Sequence, residues 1–146
     1  MKIDLRKDSH KGKCSGNIII LEERLPMFVN QPIQVEFNYS IQCVNDYYLM
    51  QLEEKTSVEL ICQRCSDLWG YDYSNSHELI VCLNEKKAEK YQAIYDVIVA
   101  PDLIVDIKEI LLDNMHLFLP EKHEDIDQCN QNQLKLLQNN ENVFDK

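Results

Sequence analysis

The chain has 146 residues, of which 45% are hydrophobic and 27% are charged. This is the composition of one globular domain, and it excludes wholesale disorder and fibrous architectures. The formal net charge of −10 opposes broad contact with nucleic-acid phosphates and suits basic protein partners. The sequence has no apolar stretch of the roughly eighteen residues that a membrane span needs and no signal-peptide pattern at its start. We therefore expect a cytoplasmic protein that does not bind a membrane.

The first half of the chain predicts strands after a polar start. Residues 1–16 are polar and charged, which predicts a flexible arm. The apolar run 17–21 has the length of a strand. Residues 33–43 alternate between apolar and polar side chains, as in a strand with one buried face. The turn-forming residues 45–46 then predict a hairpin whose second arm is 47–52.

More strand-like segments follow in the middle of the chain. Residues 56–62 lead into a Cys-x-x-Cys motif. Residues 69–73 and 78–83 predict a pair of strands, because the Ser-Asn-Ser sequence at 74–76 is typical of a turn. A further strand is predicted over 94–99. Together these segments predict an antiparallel meander.

The hydrophobic period then changes to that of a helix. Asp106 can cap a helix over 106–118, which places apolar side chains on one face and is followed by Pro120. Residues 121–146 are rich in Asp, Glu, Asn and Gln and predict a disordered tail. We therefore predict one α+β domain over 17–120, a mostly antiparallel sheet or open barrel-like meander packed with one C-terminal amphipathic helix.

The six cysteines are expected to be reduced, because the chain is long enough to form a core and has no export signal. Cys43 and Cys82 lie in strand-like runs and are predicted to be small buried hydrophobic residues. Cys62 and Cys65 are spaced by two residues at the end of a predicted strand. Two thiolates at this spacing can share one tetrahedral zinc ion.

A zinc site at the Cys-x-x-Cys motif needs two further ligands. The strongest candidates are His123 and Cys129, and weaker ones are His116 and His77. Imidazole nitrogen and thiolate sulfur are the ligands that structural zinc prefers. The sequence therefore predicts a metal site made of Cys62, Cys65, His123 and Cys129. Unligated thiols are the alternative.

A redox role of the motif is a second alternative. Thiol oxidoreductases place Cys-x-x-Cys at a helix N-terminus, where the helix dipole lowers a thiol pKa. The surroundings of Cys62 and Cys65 instead predict antiparallel strands. No serine, cysteine or histidine has flanking residues typical of an activated nucleophile. We therefore predict no catalytic residues and no small-molecule substrate, and favour an interaction protein over an enzyme.

Two segments together resemble the signatures of a known family. Residues 58–65 read VELICQRC and precede Trp69, which resembles the central signature of the YceD proteins, also called large ribosomal RNA subunit accumulation proteins. That signature is Leu-x-Cys-x-Arg-Cys followed by an aromatic residue. Residues 105–120 resemble the second signature, an Asp-Leu start that leads through a helix to Leu-x-Leu-Pro. Cys129, preceded by His123, lies where the family often has such a pair.

The resemblance implies a non-catalytic factor that supports accumulation of large-subunit ribosomal RNA and assembly of the large ribosomal subunit. Its partner would be a ribosomal protein, the large-subunit RNA or the precursor of that RNA. Two rival functions stay open, a zinc-stapled protein-binding module unrelated to ribosomes and a small thiol oxidoreductase that uses Cys62 and Cys65. The signature positions implied to bind the partner are Cys62, Arg64, Cys65, Trp69, Asp106 and Pro120.

Overall fold

The computed structural model describes residues 1–136 and shows an α+β chain with mostly antiparallel sheets, as the sequence predicts. Within these residues no helix is long and apolar enough to cross a membrane. In chain order the elements are β1 (Lys2–Asp4), α1 (Leu5–Asp8), β2 (Cys14–Ile20), β3 (Ile33–Val44), β4 (Tyr47–Ile61), β5 (Leu68–Cys82), α2 (Glu85–Glu89), β6 (Asp96–Val99), β7 (Ile104–Asp106) and α3 (Ile107–Phe118).

The main sheet has the strand order β2-β3-β4-β5-β6. Strands β2 to β5 are antiparallel, and β6 runs parallel to β5. The alternation predicted for 33–43 is confirmed from Ile33 to Ile41, where every second side chain of β3 is buried, and it stops before Cys43. These side chains form the inner face of the sheet, and α3 packs into the same core through Ile107, Leu111 and Met115.

Two predicted breaks in the strands are wrong. The predicted segments 47–52 and 56–62 form one continuous strand, β4, which ends at Ile61 just before Cys62, and the turn predicted at 74–76 lies within β5. The two strands pair without interruption through this region, with Glu54 opposite Asn75 and Lys55 opposite Ser74. Pairing with a neighbouring strand thus overrides the local turn preference of serine and asparagine.

The two ends of the chain contribute to the core. For residues 1–16 the sequence predicts a flexible arm, and the structure places β1 beside β7 with Ile3 and Leu5 buried. For 121–146 it predicts a disordered tail, of which 137–146 lie outside the described residues. Within 121–136, the side chains of His123, Cys129 and Leu134 are buried. Both segments therefore supply buried side chains, the first to the main core and the second to a separate cluster at the β4–β5 connection.

Glu54 is a carboxylic acid at a core-facing position of β4, and only 3% of its surface is exposed. Its Oε1 accepts hydrogen bonds from the Tyr73 hydroxyl at 2.6 Å and the Asn75 amide at 3.2 Å. Its Oε2 has no hydrogen-bond partner among the described residues. Burial raises the pKa of the Glu54 carboxyl, although the hydrogen bonds from Tyr73 and Asn75 oppose that rise.

We expect Glu54→Gln to stabilise the fold at neutral and alkaline pH. The folded protein holds the Glu54 proton more tightly than the unfolded chain does, so this carboxyl destabilises the fold increasingly as the pH rises above its ordinary pKa of 4.5. Urea unfolding at about pH 8 should show a gain of about 1 kcal/mol that vanishes near pH 4. The control is Glu53→Gln, which changes the exposed glutamate next in the sequence and should not raise the free energy of unfolding at this pH. A loss of stability in Glu54→Gln at the higher pH would contradict this account.

Candidate metal centre

The candidate metal centre forms where the connection between β4 and β5 meets the chain that follows α3. Residues 62–67 make a tight turn in which the Ser66 N–H donates to the Cys62 carbonyl at 2.8 Å. Ser66 has a positive φ of 67°, which reverses the chain direction. The Gln63 N–H donates to the Glu121 carbonyl at 2.8 Å, just after Pro120. This bond places the segment after α3 against the Cys-x-x-Cys turn.

Four side chains converge at this contact. The Sγ atoms of Cys62 and Cys129 are 3.8 Å apart. Nδ1 of His123 is 3.6 Å from Sγ of Cys65 and 3.5 Å from Sγ of Cys129. All four ligand atoms lie within 4.8 Å of one another, and all four residues are buried. The cluster can therefore hold one metal ion.

Local structure positions the two ligands after α3. A 3-10 turn at Ile126–Gln128 begins with a capping box. The Asp125 side chain accepts a hydrogen bond from the Gln128 backbone N–H, and the Gln128 side-chain oxygen accepts one from the Asp125 backbone N–H. Cys129 follows this turn directly and packs with Leu134 in a small buried cluster that also contains Cys62 and Cys65. The Asp-x-x-Gln spacing is visible in the sequence and could have indicated order in this part of the predicted tail.

The environment of the cluster lowers the pKa of one of its thiols, Cys62, and raises the pKa of another, Cys129. Burial opposes ionisation of Cys62, but N–H groups of His123, Cys65 and Arg64 point at its sulfur and lower its pKa to about 6. The His123 N–H is 3.5 Å from Sγ of Cys62. Burial and the neighbouring thiols Cys62 and Cys65 raise the pKa of Cys129 to about 11. A cation among these sulfurs favours their ionised forms, so the cluster is suited to binding a metal.

Two signature residues support the cluster from outside. The Arg64 Nη2 donates to the His123 carbonyl at 2.7 Å, which joins the two segments a second time. The Trp69 ring lies against the His123 ring, with centroids 4.4 Å apart and an angle of 31° between planes. Trp69 is the single tryptophan of the chain. Its fluorescence therefore reports on the position of His123.

The other candidate residues lie elsewhere. Asp106 caps α3, where its Oδ1 accepts from the Lys108 N–H at 3.0 Å, and the length of the helix separates it from Pro120. The weaker ligand candidates have other partners: Nε2 of His116 lies 2.9 Å from the Arg24 carbonyl, and Nε2 of His77 lies 2.7 Å from Asp96. None of Asp106, His116 and His77 joins the cluster, and Pro120 borders it through the backbone of the next residue, Glu121.

Of the two cysteines predicted to be buried in strands, the structure confirms one and contradicts the other. Cys82 is buried as predicted, whereas Cys43 is exposed, so the prediction for Cys43 is wrong. Cys43 lies near the end of β3, where the strict alternation of burial stops.

Comparison of the chain with protein-family models, with curated proteins and with solved structures finds no match.

Proposed function

We propose that Cys62, Cys65, His123 and Cys129 bind one zinc ion that has a structural role. Zinc bonds of about 2.3 Å to sulfur and 2.05 Å to nitrogen give tetrahedral edges of about 3.8 Å between sulfurs and about 3.6 Å between sulfur and nitrogen. The side chains already stand at 3.8, 3.6 and 3.5 Å. This agreement is the observation that carries the proposal.

The donor set favours zinc in a structural site over a catalytic one. Three soft thiolates and one imidazole suit zinc and leave no position open for water or substrate. Three thiolates with a divalent cation carry a net charge of −1, and the guanidinium of Arg64 next to the cluster offsets it. All four ligands are buried, so solvent does not compete for the ion.

The zinc ion would join two parts of the chain that are far apart in sequence. Cys62 and Cys65 belong to the β4–β5 connection, and His123 and Cys129 follow α3. A metal that binds the folded arrangement and not the unfolded chain adds its binding free energy to folding. The ion would therefore hold the segment after α3 against the sheet.

We expect freshly purified protein to contain about one equivalent of zinc. Cys129→Ser should lose most of this zinc and should lower the melting temperature by about 10 °C, because one of four ligands is gone. Metal analysis and thermal unfolding measure both quantities, with Trp69 fluorescence as a local signal.

The matched control for this experiment is Cys43→Ser, since Cys43 is an exposed thiol outside the cluster. It should keep its zinc and its melting temperature. A native protein that is free of zinc when purified and does not take it up, or equal zinc loss in both variants, would contradict the zinc site.

For the biological role, we propose a non-catalytic factor that supports large-subunit ribosomal RNA accumulation and large ribosomal subunit assembly through a ribosomal protein or that RNA. One observation supports this. Residues 58–65 and 105–120, which resemble the YceD signatures, are neighbours, because the Gln63 N–H contacts the carbonyl just after Pro120. Together, the open barrel-like meander and its one C-terminal amphipathic helix, α3, would form one packed unit that presents the signature residues.

The test of the ribosomal role is depletion of the protein from source cells. We expect the ratio of large- to small-subunit ribosomal RNA to fall and the large-subunit peak of a sucrose gradient to shrink. The native chain should restore both, as should the control Cys43→Ser. A double variant, Cys62→Ser with Cys65→Ser, should fail to restore them. An unchanged ratio after depletion would contradict the ribosomal role and leave the zinc-stapled binding module.

The second candidate function is the thiol oxidoreductase, which the lowered pKa of Cys62 favours. Both sulfurs of the motif are fully buried, however, with Cys62 and Cys65 each at 0% exposure. Exchange with a substrate disulfide requires access of that disulfide to the attacking thiolate. Rapid reduction of a model disulfide by the zinc-loaded protein would favour the enzyme, and we expect none.

A further inference from the structure

The outer face of the main sheet, opposite the core, carries a long polar trough. Alternation along the strands places Asn38, Gln51, Glu53 and Ser76 on this face. Over part of it lies a hollow of about 660 Å³ that crosses β2, β3, β4 and β5. Two adjoining hollows share lining residues with the first, and a third shares Ser57 and Asp72 with one of these two. Together they extend the trough toward both ends of β4. The described residues leave this part of the sheet exposed.

The trough is bounded along the sheet. At one end, α2 covers the outer face where Ile80, Cys82 and Ala88 are buried together. From Gln51 to Glu59, β4 exposes its outer face over about 26 Å at 3.3 Å per residue. An extended polypeptide of about eight residues has this length. The shape therefore fits a single extended chain segment laid along the strands.

The charge of the trough is negative. The outward-facing residues of β3, β4 and β5 include five carboxylates and one basic side chain, Lys55, which pairs with Glu36 at 3.5 Å. One further basic residue, Lys13, borders the trough. Asp72 accepts a hydrogen bond from the Ser57 hydroxyl at 2.9 Å. The remaining three carboxylates make no ion pair with any residue in 1–136: Glu53, Glu59 and Glu78.

The carboxylates are grouped at two places along the trough. Glu78 is opposite Gln51 and lies diagonally next to Glu53, while Glu59 and Asp72 lie near the β4–β5 connection. Glu59 lies six positions after Glu53 on β4, which corresponds to about 20 Å. The ligand with matching chemistry is an extended segment with positive charge at both ends. A nucleic acid would place its phosphates against these carboxylates and be repelled.

We propose that this trough binds an extended, lysine- and arginine-rich segment of a partner protein. The proposal rests on the proposed ribosomal role only for the identity of that partner, a basic ribosomal protein. The complementary charges would steer association and fix the register of the segment, and the zinc cluster would lie beyond the end of the trough near Glu59.

The test uses the full chain and a fluorescein-labelled basic peptide of about twelve residues that alternates lysine or arginine with serine. Fluorescence anisotropy at about 0.1 M salt measures its binding. A triple variant of the trough, Glu53→Gln with Glu59→Gln and Glu78→Gln, should bind the peptide about tenfold more weakly. Its zinc content and melting temperature should equal those of the native chain.

The matched control changes the same net charge at three exposed glutamates outside the trough, Glu22→Gln with Glu23→Gln and Glu124→Gln. It should weaken binding less than about twofold. Equal weakening in both triple variants would overturn the trough as the site, and tighter binding of a single-stranded oligouridine RNA than of the peptide would overturn the partner class. Both results are independent of the ribosomal RNA ratio in depleted cells, so failure of this proposal and failure of the ribosomal role are distinguishable.

Discussion

The rest of the structure depends on the uninterrupted antiparallel pairing of β4 with β5. This ladder runs from Tyr48 opposite Val81 to Ile61 opposite Leu68. It fixes the position of the connecting turn, and the turn carries the Cys-x-x-Cys motif. Because side chains alternate across a strand, the same ladder also separates an inner apolar face from an outer polar face. A slip of one residue would exchange the two faces and displace the cysteines.

The two faces of this ladder have different surroundings, since one packs in the core and the other is exposed. The inner face and α3 enclose the apolar core, into which the carboxyl of Glu54 is also placed. The outer face is left to the acidic trough. At the end of the ladder, the chain that leaves α3 is held to the turn by the Gln63 and Arg64 hydrogen bonds and by the cluster of thiols around His123. The proposed zinc site would serve the same purpose as the ladder, which is to join parts of the chain distant in sequence.

The sequence predicts much of the strand content but not the strand lengths. Strict alternation identifies β3 because its hydrophobic period of two is independent of its neighbours. The continuity of β4 and β5 could not be predicted, since polar residues such as Asn75 prefer turns when considered alone, and only the opposite strand holds them extended. The burial of Ile3 and Leu5 could not be predicted either, because Ile3 pairs with Val105 of β7 and the Leu5 N–H donates to the Leu103 carbonyl, both about a hundred residues later.

The candidate site was more predictable than the fold around it. Ligand chemistry selects Cys62, Cys65, His123 and Cys129 from the sequence, and the structure brings these four side chains together. Their geometry could not be predicted, because it depends on the Ser66 turn and on hydrogen bonds between distant segments. The tail that contains two of them looked too polar to order, since composition does not show what a metal or a capping box can stabilise.

The measurement that tests the zinc site most directly is the X-ray absorption spectrum of the purified full chain at the zinc edge. The account predicts one zinc ion with three sulfur ligands at about 2.3 Å and one nitrogen ligand at about 2.0 Å. A spectrum dominated by oxygen and nitrogen ligands, or one with fewer than three sulfur ligands, would contradict the assignment of this cluster as a structural metal centre.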